Sequence, residues 1–346
     1  MSTSLHGEAV KAPFPGLRAF EAEESLLFFG REVQVEELLD RLSENHFVAV
    51  TGTSGSGKSS LVKAGLGPAL HRGYLLDATT RWRLAKMRPG GSPIENMAAA
   101  LAPVLGVGST DDLARSLRTT SNGLVTAIAA AGLSRDENLL VIADQFEELF
   151  RYDVSSDQQS DASLFVSQLL EATEQRAIPI YVIVTMRSEF LGRCSEFTGL
   201  AEAFNRSQFL VPRLTRDERR QAIERPLKLV GATPSPALVQ QVLNDAGDDP
   251  DQLPVLQHAL LRTFRAWERD GATGRVEHRH YNTVGGIENA LDGHGNEILS
   301  SLSEPARAIA ERVGISSSLR RIGAARSHPE GLPPCVIFDL VSRRAL

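Results

Sequence analysis

The sequence predicts an α/β protein: a doubly wound parallel sheet followed by a helical domain. Three observations carry this reading. Phe47–Val50 and Leu139–Ala143 are continuous apolar runs rather than alternating ones, as suits strands buried on both faces of a parallel sheet, and Ile178–Met186 reads as a third core strand. Stretches of helical period separate them, and strand, helix, strand in succession is the order such sheets require. From about Thr215 the strand pattern fades and only helical spacing continues.

In chain order, residues 1–12 read as a flexible tail, and Pro13-Phe14-Pro15-Gly16-Leu17 as a stiff leading segment. Phe28-Phe29-Gly30-Arg31-Glu32 leads into a helix with Val35, Leu38, Leu39 and Leu42 at helical spacing and acids in its first turns. The run from Phe47 follows, then a glycine-rich loop and a helix with Leu61, Val62, Leu66 and Leu70 on one side. Trp82–Met87 reads as a further strand, closed by Arg88-Pro89-Gly90-Gly91. Helices are expected from Pro93 to Leu105 and around 110–118 and 121–132. Residues 153–161, rich in Ser, Asp and Gln, read as a surface loop before a helix over 162–175. Thr215-Arg216-Asp217-Glu218 is a capping box that opens a helix to Arg225. Helices follow at about 235–246, 254–269 and 286–302, with a Pro/Asp break at 248–254.

Composition bounds the function. The 346 residues suffice for about two or three domains, and 42% hydrophobic content supplies their cores. A net charge of −6 gives no basic footprint for nucleic acid or an anionic membrane. Cys194 and Cys335 lie far apart without metal-type neighbours, as free thiols of a reducing cytoplasm would. The first residues lack the apolar centre of a signal peptide. No run approaches the roughly 20 apolar residues of a membrane helix. A cytoplasmic protein with no membrane partner is expected.

Gly52-Thr53-Ser54-Gly55-Ser56-Gly57-Lys58-Ser59 is a complete G-x-x-x-x-G-K-[ST] phosphate loop. Its glycines let the backbone wrap phosphate oxygens, and its N–H groups, with the following helix N-terminus, supply positive potential. Lys58 adds a full charge for the β- and γ-phosphates, and the Ser59 hydroxyl suits Mg²⁺. Gly52, Ser54, Gly55, Ser56, Gly57, Lys58, Ser59 and Ser60 form the expected nucleotide cradle. Asp144, where an apolar strand stops, has the position of a carboxylate holding Mg²⁺ through water. Of Glu147 and Glu148, either can orient or deprotonate water. Arg187 ends the third core strand on the sheet edge where ligands lie, able to sense γ-phosphate charge or to pair with Glu189 or Glu196. His258 reads as a packed or surface helix residue, and neither it nor His294 is assigned to chemistry. No N-K-x-D tetrad argues for a GTPase and no L-S-G-G-Q signature for a transporter ATPase. The stretch 188–212 is too poor in arginine for a kinase lid.

Together these stretches resemble the STAND class of signalling ATPases, in its bacterial novel-STAND branch. PFPGLRAF with FFGRE (13–32), GTSGSGKSSLVKAGLGPAL (52–70), LLVIADQFEELF (139–150) and DQLPVLQHALLR (251–262) carry the likeness, joined by VTMRSEFLGRC (184–194). The resemblance implies a P-loop nucleotide-binding domain over 13–212, a helical domain over 213–302 that closes on the nucleotide, and then a winged helix. By the same likeness Phe29, Gly30 and Arg31 lie against adenine, and Pro254 contacts the nucleotide from the helical domain. Gln252 stands where the family often has glycine. Asp144 takes the metal role, Glu148 the water-activating role and Arg187 the sensor role.

The implied activity is an ATP-driven switch with ATP/ADP and Mg²⁺ as ligands. ADP holds it closed, ATP permits self-association, and slow hydrolysis resets it. An unidentified sensor or effector protein is the implied partner. A non-hydrolysing, nucleotide-gated binding scaffold is the alternative, with a small-molecule phosphotransferase behind it. The winged helix starts at Leu302-Ser303-Glu304-Pro305-Ala306-Arg307 but is incomplete, dissolving after Val313 into an irregular basic tail to 346 with five arginines against two acids. That tail reads either as native and flexible or as a winged helix interrupted by frameshift or early termination.

Overall fold

In the computed structural model, residues 12–73, 81–133, 137–150, 156–175, 178–247, 253–291 and 295 are described. They form two compact units, one spanning Phe20–Leu214 and the other joining 12–19 to the chain from Thr215.

In the first unit a 3-10 turn (Ala22–Leu27) precedes α1 (Glu32–Asn45), whose Leu38, Leu39 and Leu42 turn inward. His46, in the left-handed region, ends α1 and sends the chain into β1 (Phe47–Gly52). All six β1 residues are buried, so this strand has no solvent face, as its continuous apolar run requires. The helix after the loop is one path in three parts: α2 (Lys58–Ser60), a π-helical segment (Leu61–Leu66) and α3 (Gly67–His71). Gly65 lets α1 approach, because a Cβ there would lie 2.7 Å from Val35 Cγ2. Then come β2 (Arg81–Met87), α4 (Pro93–Leu105), α5 (Thr110–Leu117) and α6 (Gly123–Ala130). Next are β3 (Glu137–Ala143), a 3-10 turn (Phe146–Phe150) and α7 (Ser156–Glu174). The unit closes with β4 (Ile180–Arg187), a 3-10 segment (Ser188–Glu196), α8 (Leu200–Arg206) and β5 (Gln208–Leu210).

The five strands are parallel, in the order β2-β3-β4-β1-β5. Alternate residues of each strand enter different cores. Ala49, Val141 and Val182 face α4–α8, whereas Val50, Ile142 and Ile183 face α1 and the loop helix. Each of the fully buried valines and isoleucines among them stabilises the fold by about 1.5–3 kcal/mol.

Two expectations for this unit need correction. Helix α7 begins at Ser156 rather than 162, because the polar and acidic residues that read as a loop also suit a helix start, where acids are favoured by its dipole. The short edge strand β5 carried no apolar run to announce it.

In the second unit Thr215 and Glu218 form the anticipated capping box of α9 (Arg216–Leu229), which continues past Arg225 through the buried Pro226. A two-residue parallel bridge, β6 (Thr233–Pro234) with β7 (Arg275–Val276), was not foreseen. It ties the start of α10 (Pro236–Asp245) to the turn between α11 (Leu253–Arg269) and α12 (His278–Thr283). Phe14, 2% exposed, enters this core beside Ile223, Leu260 and Tyr281. Of the expected break at 248–254, Leu253 and Pro254 already belong to α11, while the residues before them, His294, Cys335, nearly all of the expected helix past 291, and the winged-helix start with its basic tail lie outside the described residues. Cys194 is a free thiol, and burial pushes its pKa up to about 11. His258 is buried on α11.

Candidate functional site

The carboxyl edge of the sheet gathers most of the residues singled out above. Because β4 lies between β1 and β3, Arg187 pairs in register with Gly52, and Asp144 follows Ala143 one strand away. At the loop, Gly57 adopts φ 90°, open to glycine at little cost, and opens α2. Gly52 has φ 156°, a conformation residues with a Cβ rarely adopt, and a Cβ there would lie 2.8 Å from Ser56 Oγ, so glycine suits the start of the loop. Lys58 Nζ donates to Gly52 O at 2.9 Å and Thr53 O at 2.6 Å, with Ser56 Oγ at 3.4 Å. Burial lowers the Lys58 pKa, Glu147 chiefly opposes the shift, and the Arg187 charge adds to it. Ser60 Oγ accepts the Phe20 N–H at 3.1 Å and so serves the packing of the loop helix.

Asp144 is 4% exposed, and its backbone N–H donates to Met87 O at 2.9 Å. Gln145, at φ 58°, turns the chain there and donates its N–H to Thr185 Oγ1 at 3.0 Å. Two hydroxyls then converge on one carboxylate oxygen. Ser59 Oγ donates to Asp144 Oδ1 at 2.6 Å, and Thr185 Oγ1 donates to the same atom at 2.7 Å. Asp144 Oδ2 is buried with no hydrogen-bond partner, 3.5 Å from the Lys63 ammonium. Among the described residues no three His, Cys, Asp or Glu side chains converge as a metal site. One buried carboxylate beside a loop serine is instead the donor set Mg²⁺ uses with phosphate oxygens and water, and Asp144 Oδ2 has coordination to spare.

The two glutamates diverge. Glu147, 4% exposed, lies 3.4 Å from Arg187 Nε and accepts the Arg187 backbone N–H at 3.4 Å. The half-buried Glu148 accepts the Gly90 N–H at 3.1 Å through Oε2. Arg187 also reaches Glu189 Oε1 at 3.3 Å, whereas Glu196 pairs with Arg193. Gly30 donates its N–H to Glu32 Oε2 at 2.9 Å and follows Phe29 into α1. The Arg31 guanidinium is buried, donating to Pro212 O at 2.8 Å and Ser56 O at 3.2 Å. It therefore holds the loop from beneath. Pro254 is the second residue of α11, in the other unit.

Sequence reasoning missed Thr185 and Lys63. The signal for Thr185 was a threonine near the end of an otherwise largely apolar strand. For Lys63 it was a lysine amid the apolar residues of the loop helix.

The description "Novel STAND NTPase 1" belongs to a family model that matches residues 13–326, running past Val313 where the winged-helix pattern was expected to dissolve. No curated protein sequence matches this one. Among solved structures, the ORC2 protein of Aeropyrum pernix, in ADPNP-ADP complexes, is 13% identical with a TM-score of 0.53, over 91% of this chain and 79% of that one. The ORC1 protein of the same organism, in complex with DNA, is also 13% identical with a TM-score of 0.53, over 93% and 84%. At such identity the likeness is one of fold: a parallel five-stranded sheet with helices. Among the described residues no helix is long and apolar enough to cross a membrane.

Proposed function

This chain belongs to the novel STAND NTPase 1 family, and from that premise we propose that it is an ATP-driven molecular switch with slow, Mg²⁺-dependent hydrolysis. The nucleotide-binding NTPase character is the family's. The observation that carries the finer reading is the Ser59–Asp144 hydrogen bond, which joins the phosphate loop to the end of β3 across an intervening strand. A metal ligand pair must meet in this way. Ser59 and Asp144 would hold Mg²⁺ there, and the ion would offset the charge that develops on the phosphate oxygens.

The protein's own groups divide the remaining work. Loop N–H groups and Lys58 cradle the phosphates, and Ser59 and Asp144 supply the metal's protein ligands. Glu148 orients water for attack, while Glu147 keeps Arg187 at the sheet edge, where it meets γ-phosphate charge. Phe29 and Gly30 border the adenine, Arg31 stiffens the loop beneath it, and Pro254 contacts nucleotide from the helical unit. ADP favours a closed form, and ATP an open one that associates with further copies and engages a sensor or effector protein. A net charge of −6 favours neither nucleic acid nor membrane as partner.

The engagement of Glu147 with Arg187 and of Glu148 with Gly90 favours a second reading, a nucleotide-gated scaffold that does not hydrolyse. Calorimetric titration with Mg-ATP tests the site. Lys58→Ala should weaken binding tenfold to over a hundredfold, since a charge-assisted hydrogen bond contributes ~1.5–3 kcal/mol. Asp144→Asn should abolish the Mg²⁺ dependence. Unchanged affinity in both variants would overturn the assignment.

A further inference from the structure

Lys63 lies on the π-helical segment, just beyond the loop lysine and serine, with its side chain only 15% exposed. Its ammonium is shared between two carboxylates, Glu21 Oε1 at 3.1 Å and Asp144 Oδ2 at 3.5 Å. Asp144 Oδ2 has no hydrogen bond, while both neighbouring hydroxyls spend their protons on Oδ1. A buried carboxylate oxygen without a donor demands a compensating charge, and the nearest cation is Lys63. We propose that Lys63 is the resident counter-cation of Asp144, so that a divalent cation gains this carboxylate only when nucleotide phosphates arrive with it.

The inference rests on reading Asp144 as a metal ligand. In the nucleotide-free protein Lys63 already neutralises Asp144, and a second cation there meets repulsion. Phosphate charge reverses that balance and admits the metal beside the ammonium. Glu21 tunes the effect, because its carboxylate draws the same ammonium away from Asp144. Its side chain also caps the 3-10 turn that follows, a role a glutamine oxygen can still fill. Lys63 is on this account a positioning residue, acting through Asp144.

Mn²⁺ binding followed by electron paramagnetic resonance tests this without any turnover. Wild-type protein free of nucleotide should bind Mn²⁺ weakly. Lys63→Met, which keeps the apolar stem, should bind one ion at least about tenfold more tightly, because an opposing charge has left the site. The gained site should vanish in Lys63→Met combined with Asp144→Asn, and Lys63→Arg should behave as wild type. Glu21→Gln should shift the other way, loosening Mn-ADP by about threefold because the ammonium rests on Asp144 alone.

Two results overturn the proposal: a Lys63→Met protein that binds Mn²⁺ no better than wild type, or a gained site that survives Asp144→Asn. Should Lys63→Met not fold, the Glu21→Gln shift decides, and its absence is equally fatal. Asp144→Asn alone, titrated with Mn-ADP, isolates the underlying reading. An unchanged affinity there removes Asp144 as a ligand, whereas a loss there with an unaltered Lys63→Met response rejects only the counter-cation.

Discussion

The Lys58 ammonium rests among loop oxygens in a site whose burial lowers its pKa from the ordinary 10.5. The folded protein therefore releases this proton at lower pH than the unfolded chain does. Between the two values the unfolded state holds more protons, so stability rises with pH across that window. Below both values the residue is charged in both states and the burial cost is present in full. Lys58→Met should accordingly melt higher than wild type without nucleotide, with the advantage shrinking as pH climbs toward 10.5. The same variant should lose the upward shift that ADP gives the wild type. Scanning fluorimetry at a series of pH values reads both effects, and a lower melting temperature at neutral pH would contradict the first. Glu148→Gln belongs to the same scale. It keeps the cradle and removes the base, so it should retain ATP and accumulate the associated form in light scattering. Fast hydrolysis by that variant would transfer the role to Glu147.

Among the elements, the π-helical segment after the loop is held close to α1. Gly65→Ala would set a Cβ 2.7 Å from Val35 Cγ2 and 3.2 Å from the Phe28 ring. Overpacking of this kind costs about 1–3 kcal/mol, read as a melting temperature lower by a few degrees with the two packed helices displaced. An unchanged melting point would mean that α1 yields freely. Elements that bury both faces were legible in the sequence, since β1, β3 and β4 are each built mainly of successive apolar residues. Short β5 was not, because one inward phenylalanine, Phe209, makes no pattern. The site divides in the same way. The loop motif and a strand-ending acid pointed to Ser59 and Asp144 separately. Which threonine and which lysine join them depends on β4 lying between β1 and β3 and on the phase of a widened helix. Neither is written in local residue spacing, so Thr185 and Lys63 emerged only with the fold.

At the scale of the whole molecule, the two units carry separate apolar cores, one of them completed by a residue from the opposite end of the chain. Calorimetry should resolve two transitions. ADP at a hundred times its dissociation constant should raise the one belonging to Phe20–Leu214 by about 2.7 kcal/mol of stability. Phe14→Ala should lower the other by about 3–5 kcal/mol and leave the ADP-responsive transition in place. A variant that destabilises both equally would show that the cores melt as one. The placement of Phe14 also bears on how the chain is made. The ribosome releases this phenylalanine well before α9–α12, and at 5–20 residues per second the helices that receive it follow roughly 10–55 s later. For that interval the sheet can close around its loop while the leading segment waits, its aromatic ring exposed to chaperones. The last core to assemble thus captures a residue translated before the whole of the sheet unit, and a nascent chain stalled near Leu214 would carry a finished sheet with Phe14 still undocked.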